Sequence, residues 1–166
     1  MNQNESSKQI APYQTPDWKF SKELEQRETT SFIVLHHSGV STPHTAEDIH
    51  RWHLKKGWAG IGYHYFIAKN GVVYECRPRN TVGAHTRGYN RVSLGVCFEG
   101  DFNKEELTVK QENAAIKLLT ILGIAYYDAE LRRHSDFNAQ RSCPGKNFPF
   151  DRIKQRVAQC RANIGL

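Results

Sequence analysis

The sequence predicts a single α/β domain in which helices flank both faces of a central mixed β-sheet. Its 166 residues are enough for one domain with a real core, and 39% of them are hydrophobic. Strand-like apolar segments alternate with amphipathic helical segments along the chain. Histidines stand where predicted strands end, and loops at the edges of such sheets are where these folds keep their sites.

The chain begins with a polar segment, and the first strand follows it. Residues 1–16 are rich in Asn, Gln, Ser and Lys, so we expect a flexible arm there and a domain covering residues 17–166. Trp18 and Phe20 are expected to pack on this domain. The segment SFIVLHHS is apolar on both faces, as a covered central strand is, and it ends in His36 and His37.

The segment STPHTAEDIHRWHLKKGW predicts a helix that begins at Thr42 or Thr45 and ends near Gly57. His50 and His53 lie three residues apart in it, which would allow metal binding, although a partly exposed helix face also explains them. Three residues form its expected inward stripe: Ile49, Trp52 and Lys56 through its aliphatic stem.

The segment YHYFIAKNGVVYECRP predicts a β-hairpin with a type I′ turn at Asn70-Gly71. Strand alternation places His64 and Phe66 on one face. The opposite face is expected to carry Tyr63, Tyr65 and Ile67.

The second half of the chain predicts two more strands and two more helices. VSLGVCFEG is a strand with Gly95, Cys97 and Glu99 on one face, and ELRRH is a short strand that ends at His134. A helix over residues 108–125 starts with a capping box of Thr108 and Gln111. PFDRIKQRVAQCRANI predicts a terminal helix. The expected buried residues of the two helices are Ala115, Leu118, Leu119, Leu122, Ile153, Val157 and Cys160.

Composition restricts the classes of function. The net charge of +6 favours polyanionic partners such as nucleic acid, anionic lipid or bacterial wall, but the sequence has no dense basic run. No segment approaches the roughly 20 apolar residues that a membrane span needs. No apolar run typical of an export signal follows Met1, so we expect accumulation in the cytoplasm. We also expect a monomer.

The segment RHSDFNAQRSCPG places His134 and Cys143 on one loop. An ordinary surface loop explains this pair, but so does a shared metal ion, with His36 or His37 as a third ligand. Catalytic zinc takes three protein ligands and keeps a fourth position for water, whose pKa it lowers to roughly 7. The four cysteines show no dense disulfide framework pattern and no export signal supports one, so at least three free thiols are expected. The sequence has no CxxC and no HExxH motif, so a zinc finger, a thioredoxin-like site and the commonest metalloprotease helix are not expected.

Four segments, in order, resemble one family: FIVLHHSG, GWAGIGYHYFIAKNGVVYECRP, VGAHTRGYNRVSLGVCFEGDF and RHSDFNAQRSCPGKNFPF. They are similar to the zinc-dependent N-acetylmuramoyl-L-alanine amidases, which include phage endolysins and the peptidoglycan recognition proteins. The resemblance spans about residues 31–157. It implies a central mixed sheet with helices on both sides and a zinc ion in a groove on one face.

The resemblance also implies roles for individual residues. The zinc ligands are expected to be His36, as the first residue of the His-His pair, His134 and Cys143. Tyr63 matches a tyrosine whose hydroxyl borders the metal and can stabilise an oxyanion. Three residues of GAHTRGYN are expected to contact the glycan-peptide substrate: His85, Thr86 and, through a stem-peptide carboxylate, Arg87.

Two positions depart from the family pattern. Phage relatives often carry a catalytic Lys two residues before the cysteine, where this chain has Arg141 on a loop about one residue longer. Arg keeps the positive charge but not the compact ammonium. Cell-wall recycling relatives place a Glu, which acts as a base, where this chain has Cys97. The base is then expected to be the metal-activated water assisted by Tyr63, with Glu99 as an alternate.

The expected function is hydrolysis of the amide between N-acetylmuramic acid and the L-alanine of the stem peptide, by a phage or prophage endolysin with a zinc-activated water. Release to the wall by a holin-type partner would fit the absence of an export signal. Two alternatives stay open. One is a peptidoglycan-binding module without activity, a class that typically lacks the cysteine ligand. The other is a nucleic-acid-binding domain with a structural zinc, which no recognition motif supports.

Overall fold

Five strands form one mixed sheet in the computed structural model of the protein, which describes residues 13–165. In chain order they are β1 (Phe32–His37), β2 (Tyr65–Ile67), β3 (Val73–Glu75), β4 (Ser93–Phe98) and β5 (Glu130–Arg133). Their order across the sheet is β3-β2-β4-β1-β5. All neighbouring pairs are parallel except β2 and β3, which form the predicted hairpin.

Three helices cover the two faces of this sheet, as the sequence predicts. They are α1 (Ala46–Lys55), α2 (Val109–Ala125) and α3 (Phe150–Asn163). The larger apolar core joins α2 and α3 to one face, and a smaller cluster joins α1 to the other. Within the described residues, none of these helices has the length and apolar character that crossing a membrane requires.

α1 and α2 each begin with a capping box at their N-terminus. Thr45, and not Thr42, caps α1: its side chain accepts from the Asp48 N–H, and Asp48 bonds back to the Thr45 N–H. Thr108 and Gln111 form the predicted capping box of α2. These reciprocal bonds satisfy backbone donors that have no partner inside the helix.

The sheet register decides which face each central residue occupies. His36 of β1 lies beside Cys97 of β4, and Leu35 lies beside Val96. Leu35 and Val96 belong to the larger core with α2 and α3. Because side chains alternate along a strand, His36 and Cys97 face the α1 side, at the carboxyl end of the central strands.

The hairpin differs from the prediction in two details. Asn70 has no positive φ, whereas Gly71 has φ +85°, so the turn is not type I′. Ala68 and Val72 bracket a three-residue loop, because the Ala68 N–H donates to the Val72 carbonyl at 3.0 Å. Tyr63 precedes β2 and packs with the α1-side cluster, away from Tyr65 and Ile67. The predicted common face for these three residues is therefore wrong, since strand alternation holds only from Tyr65 onward.

The predicted inward stripe of α1 is also wrong in part. Trp52 is 38% exposed, whereas His50 and His53 are buried beside Ile49. The two imidazoles are needed inside because they accept backbone N–H groups of the next segment: His50 Nδ1 from Ile61 at 3.0 Å and His53 Nδ1 from Gly62 at 2.9 Å. They are thus structural acceptors and do not belong to a partly exposed face.

The N-terminal segment contacts the domain earlier than predicted. Residues 1–12 of the expected arm lie outside the described residues. Tyr13 packs edge-on against Tyr65, and Gln14 forms a β-bridge with Tyr74 of β3. Trp18 and Phe20 both pack on His50, as expected for residues that cover the α1 side.

A carboxylate clamp between α2 and α3 generates a stability prediction. Glu112 accepts from Arg152 Nε at 2.9 Å and Nη2 at 2.7 Å, and from Arg156 at 2.8 Å. These bonds hold the Glu112 pKa below its ordinary value, so their stabilisation is complete above the unfolded-state pKa and is lost as pH falls through the folded-state pKa. We expect Glu112→Gln to lower the free energy of unfolding by about 1 kcal/mol at pH 7, since the arginines are largely exposed.

Chemical denaturation of both proteins from pH 7 to pH 3 checks this prediction, with exposed Glu28→Gln as the control. The two unfolding free energies should converge as the pH falls. A difference that is independent of pH would show that the charge of Glu112 is not what stabilises the helix pair.

Candidate metal centre and groove

Two imidazoles and one thiol converge at the carboxyl end of the central strands. His36 is the penultimate residue of β1, His134 directly follows β5, and Cys143 lies on the next loop. Each offers one ligand atom, and these atoms all lie within 4.8 Å of one another. Cys143 Sγ is 3.7 Å from His36 Nδ1. The geometry therefore brings together the three residues that the sequence predicts as metal ligands.

The protonation states suit metal binding. Burial lowers the pKa of His36 well below its ordinary value, and burial together with the charge of Arg141 lowers that of His134. Both imidazoles are thus neutral near pH 7 and offer a lone pair. Burial raises the pKa of Cys143 to about 12, against the opposing effects of the His37 N–H and Arg141. A cation must replace the thiol proton before Cys143 becomes an effective ligand.

The two adjacent histidines have different environments. The ring of His37 faces the other way, and its Nδ1 accepts the Phe102 N–H at 3.1 Å. The backbone N–H of His37 donates to Cys143 Sγ at 3.3 Å, which favours the thiolate. His37 thus supports the cysteine through its backbone while His36 presents its ring to the site.

Two of the three predicted substrate contacts lie behind the metal centre. His85 Nδ1 is 2.9 Å from His36 Nε2, and Thr86 Oγ1 is 3.3 Å from the same nitrogen. Both residues border the groove, but their side chains are buried. Arg87, the third, is exposed and lines the groove. Of the three, Arg87 is the exposed one, and the substrate contacts of all three residues stay predictions.

A groove of about 1040 Å³ is lined by His134 and Cys143, whose ligand atoms lie within 4.8 Å of that of His36. The α1 segment and the turn after it contribute an aromatic and basic wall that the sequence reasoning did not identify. This wall consists of Trp52, His53, Lys56 and Trp58. In the structure, the wall is recognised by the exposure of its two tryptophans, 38% for Trp52 and 40% for Trp58. In the sequence, the two tryptophans could have been noticed on either side of the helix-ending Gly57. Trp52 is instead assigned to the inward stripe of the helix, because its spacing from Ile49 also fits that stripe.

Tyr63 and Arg141 both line this groove. The Tyr63 ring lies 5.1 Å from that of His36, centroid to centroid. Burial, with the nearby thiols of Cys97 and Cys143, raises the pKa of Tyr63 well above its ordinary value, so its hydroxyl stays a donor. Arg141 is exposed, and its positive charge acts on Tyr63, His134 and Cys143.

Glu99, the alternate candidate for the base, binds backbone N–H groups with its carboxylate. One carboxylate oxygen accepts the Lys69 N–H at 2.7 Å, and the other faces the His44 N–H at 3.4 Å. Glu99 is not among the described residues that line the groove. Its carboxylate therefore holds two loops together and does not face a substrate.

Comparison with known proteins gives one family. Residues 26–146 match the family model described as N-acetylmuramoyl-L-alanine amidase. The endolysin of Klebsiella phage KP32 is 34% identical over 126 residues, covering 72% of this chain and 83% of the phage protein. The endolysin N-acetylmuramoyl-L-alanine amidase LysCS of Clostridium intestinale is 36% identical, with a TM-score of 0.84 over 88% of this chain and 95% of that one.

The fold is also shared with recognition proteins. Peptidoglycan recognition protein LE, solved in complex with tracheal cytotoxin, a monomeric diaminopimelic acid-type peptidoglycan, is 27% identical. Its TM-score is 0.76 over 87% of this chain and 93% of that one. The structural similarity therefore extends to proteins described as amidases and to a recognition protein that binds a peptidoglycan fragment.

The metal centre generates a prediction about the cysteines. Cys143→Ser should weaken metal binding strongly, because a hydroxyl ionises much less readily than a thiol. Cys97→Ser, the matched control on the adjacent strand, should keep the stoichiometry of the wild type and lose only packing energy. Equilibrium dialysis with zinc as the probe measures both. Metal retained by Cys143→Ser but lost by Cys97→Ser would contradict the ligand set.

Proposed function

The chain belongs to the N-acetylmuramoyl-L-alanine amidase family, and we propose that it is a zinc-dependent phage or prophage endolysin. It hydrolyses the amide between N-acetylmuramic acid and the L-alanine of the stem peptide. The observation that carries this proposal is the set of His36, His134 and Cys143 ligand atoms, within 4.8 Å of one another under a large groove.

The donor set fits zinc. Two neutral imidazoles and one thiol form a mixed nitrogen and sulfur set, and three protein ligands are the number that catalytic zinc sites use. Carboxylate oxygens, which calcium and magnesium prefer, are absent from this set. When bound, zinc acts as a Lewis acid and lowers the pKa of a water ligand.

The chain's own residues stabilise the charge that develops on the scissile carbonyl oxygen. Tyr63 keeps its proton at neutral pH and donates a hydrogen bond to this oxygen. Arg141 supplies a positive charge from the mouth of the groove. Arg fills the place of the family Lys with a planar, always charged group.

The groove binds the glycan-peptide strand. Its volume of about 1040 Å³ is larger than a single amino acid needs, and its two exposed tryptophans offer flat apolar surfaces for sugar rings. Arg87 and Lys56 provide positive charge for stem-peptide carboxylates. Cytoplasmic accumulation before release to the wall, and a monomeric state, stay predictions from the sequence.

A recognition module without activity is the second candidate, and the likeness to peptidoglycan recognition protein LE favours it. The complete donor set with Cys143 favours hydrolysis over binding alone. The two candidates differ in one product, since only the enzyme creates new L-alanine amino termini.

The central test uses purified bacterial walls. We expect the protein to release L-alanine amino termini without new reducing sugar ends, and a chelator should abolish this release. Adding zinc should restore it, whereas adding magnesium should not. Wall binding without new amino termini would support the recognition module, and full activity in a verified metal-free protein would refute the zinc mechanism.

Removal of one hydroxyl tests the oxyanion role. Tyr63→Phe should keep the metal stoichiometry and lower turnover by about 10²–10³-fold, the cost of one lost oxyanion donor. Tyr65→Phe is the matched control, because Tyr65 lies in the larger core on the other face. Steady-state rates on walls, beside metal content, measure both variants. Equal turnover in the two variants would leave Tyr63 with a packing role only.

A further inference from the structure

A buried hydrogen-bonded chain runs from the metal ligand His36 into the protein. His36 turns Nδ1 toward Cys143 Sγ and Nε2 toward His85 Nδ1, at 2.9 Å. His85 Nε2 lies 3.4 Å from Ser93 Oγ, and the Ser93 hydroxyl donates to the Tyr89 carbonyl at 2.8 Å. The chain thus ends on a backbone acceptor that cannot change its role.

The Ser93 end of this chain indicates which ring nitrogen of His85 donates. Because the Ser93 hydroxyl donates to a carbonyl, its oxygen accepts from His85 Nε2–H. His85 Nδ1 is then unprotonated and accepts from His36 Nε2–H. His36 Nδ1 keeps its lone pair free on the side of Cys143 and His134. A histidine ligand whose second nitrogen is held in this way has a fixed tautomer and ring orientation.

The surrounding backbone is shaped for the His85 ring. A Cβ on Gly95 of β4 would lie 2.6 Å from this ring, and a Cβ on Gly83 would lie equally close. The loop is anchored by Asn90, whose Oδ1 accepts the N–H groups of His85 and Thr86 at 2.9 and 2.8 Å. Two glycines and one asparagine therefore place the imidazole behind His36.

We propose that His85 is a positioning residue that sets the tautomer of His36, and not a contact to the substrate. The inference rests on the proposed zinc site. The Thr86 oxygen is a second acceptor 3.3 Å from His36 Nε2–H, and its hydroxyl can donate to His85 Nδ1 at 2.9 Å. Loss of such a support typically costs 10–100-fold in metal affinity.

Zinc affinity, measured by competition with a chromophoric chelator, tests the proposal without any assay of activity. His85→Leu, which removes the acceptor, should weaken binding by about 10–100-fold. His85→Asn should stay close to the wild type, because its Oδ1 can accept from His36 Nε2–H. The matched control is His44→Leu, another buried histidine, which packs against Trp52 and Phe66 and should keep wild-type affinity.

The outcomes separate this proposal from the proposed function. A wild-type protein that binds no zinc would refute the function itself. A wild type that binds zinc, with His85→Leu binding equally well and only the KM for walls raised, would overturn the positioning role and return His85 to the substrate. An Asn variant as weak as the Leu variant would overturn the acceptor role of Nδ1.

Histidine NMR of the zinc-bound wild type tests the same claim without a substitution, in case His85→Leu does not fold. Nitrogen-15 correlation spectra distinguish protonated from unprotonated ring nitrogens. We expect His36 to be protonated at Nε2 and His85 to be protonated at Nε2 and unprotonated at Nδ1. A proton on His85 Nδ1 would overturn the proposal.

Discussion

Parallel pairing of β1 with both β4 and β5 is the constraint on which the site depends. Leu35 of β1 pairs with Arg133, the last residue of β5. The residues that follow them in the chain, His36 and His134, therefore lie side by side at the carboxyl end of the strands. Their rings are 4.5 Å apart, centroid to centroid. The loop after β5 then needs only a short return to bring Cys143 against them. Strand register thus places His36 beside His134, and the loop after β5 adds Cys143.

Burial at the carboxyl end of these strands means that Cys143 ionises near neutral pH only with the help of a cation. The apolar sheet keeps the imidazoles neutral and raises the pKa of the thiol, so the pocket without a cation holds no thiolate near neutral pH. The His37 N–H and Arg141 reduce the cost of the thiolate but do not remove it. A bound divalent cation would do so, and in such low-polarity surroundings it would also act more strongly on a substrate carbonyl.

Sequence patterns predicted the fold because its elements follow local rules, and the family resemblance selected the three residues that converge in the structure as candidate ligands. The apolar segment that contains His36, the capping box at Thr108 and the strand before His134 each have a short-range cause. The direction of a side chain outside helices and strands has no such short-range cause. Tyr63 sits before β2, where alternation does not apply, and Trp52 faces outward because His50 and His53 are needed as acceptors inside.

The part played by His85 was hidden for a related reason. A histidine in a Gly-rich loop suggests a groove wall, and only the tertiary fold shows that Gly83 and Gly95 leave room for its ring behind His36. Its neighbour Arg87 does reach the groove. On our proposal, two residues of one motif serve the metal and the substrate separately, a division that a linear pattern does not encode.

The central claim is that His36, His134 and Cys143 together bind a catalytic zinc ion. X-ray absorption at the zinc edge, on the metal-loaded wild type, tests it most directly because it counts ligand types. The account predicts one sulfur at about 2.3 Å and two imidazole nitrogens at about 2.0–2.1 Å, with one further light atom. A shell without sulfur, or one with two or more sulfurs, would contradict it.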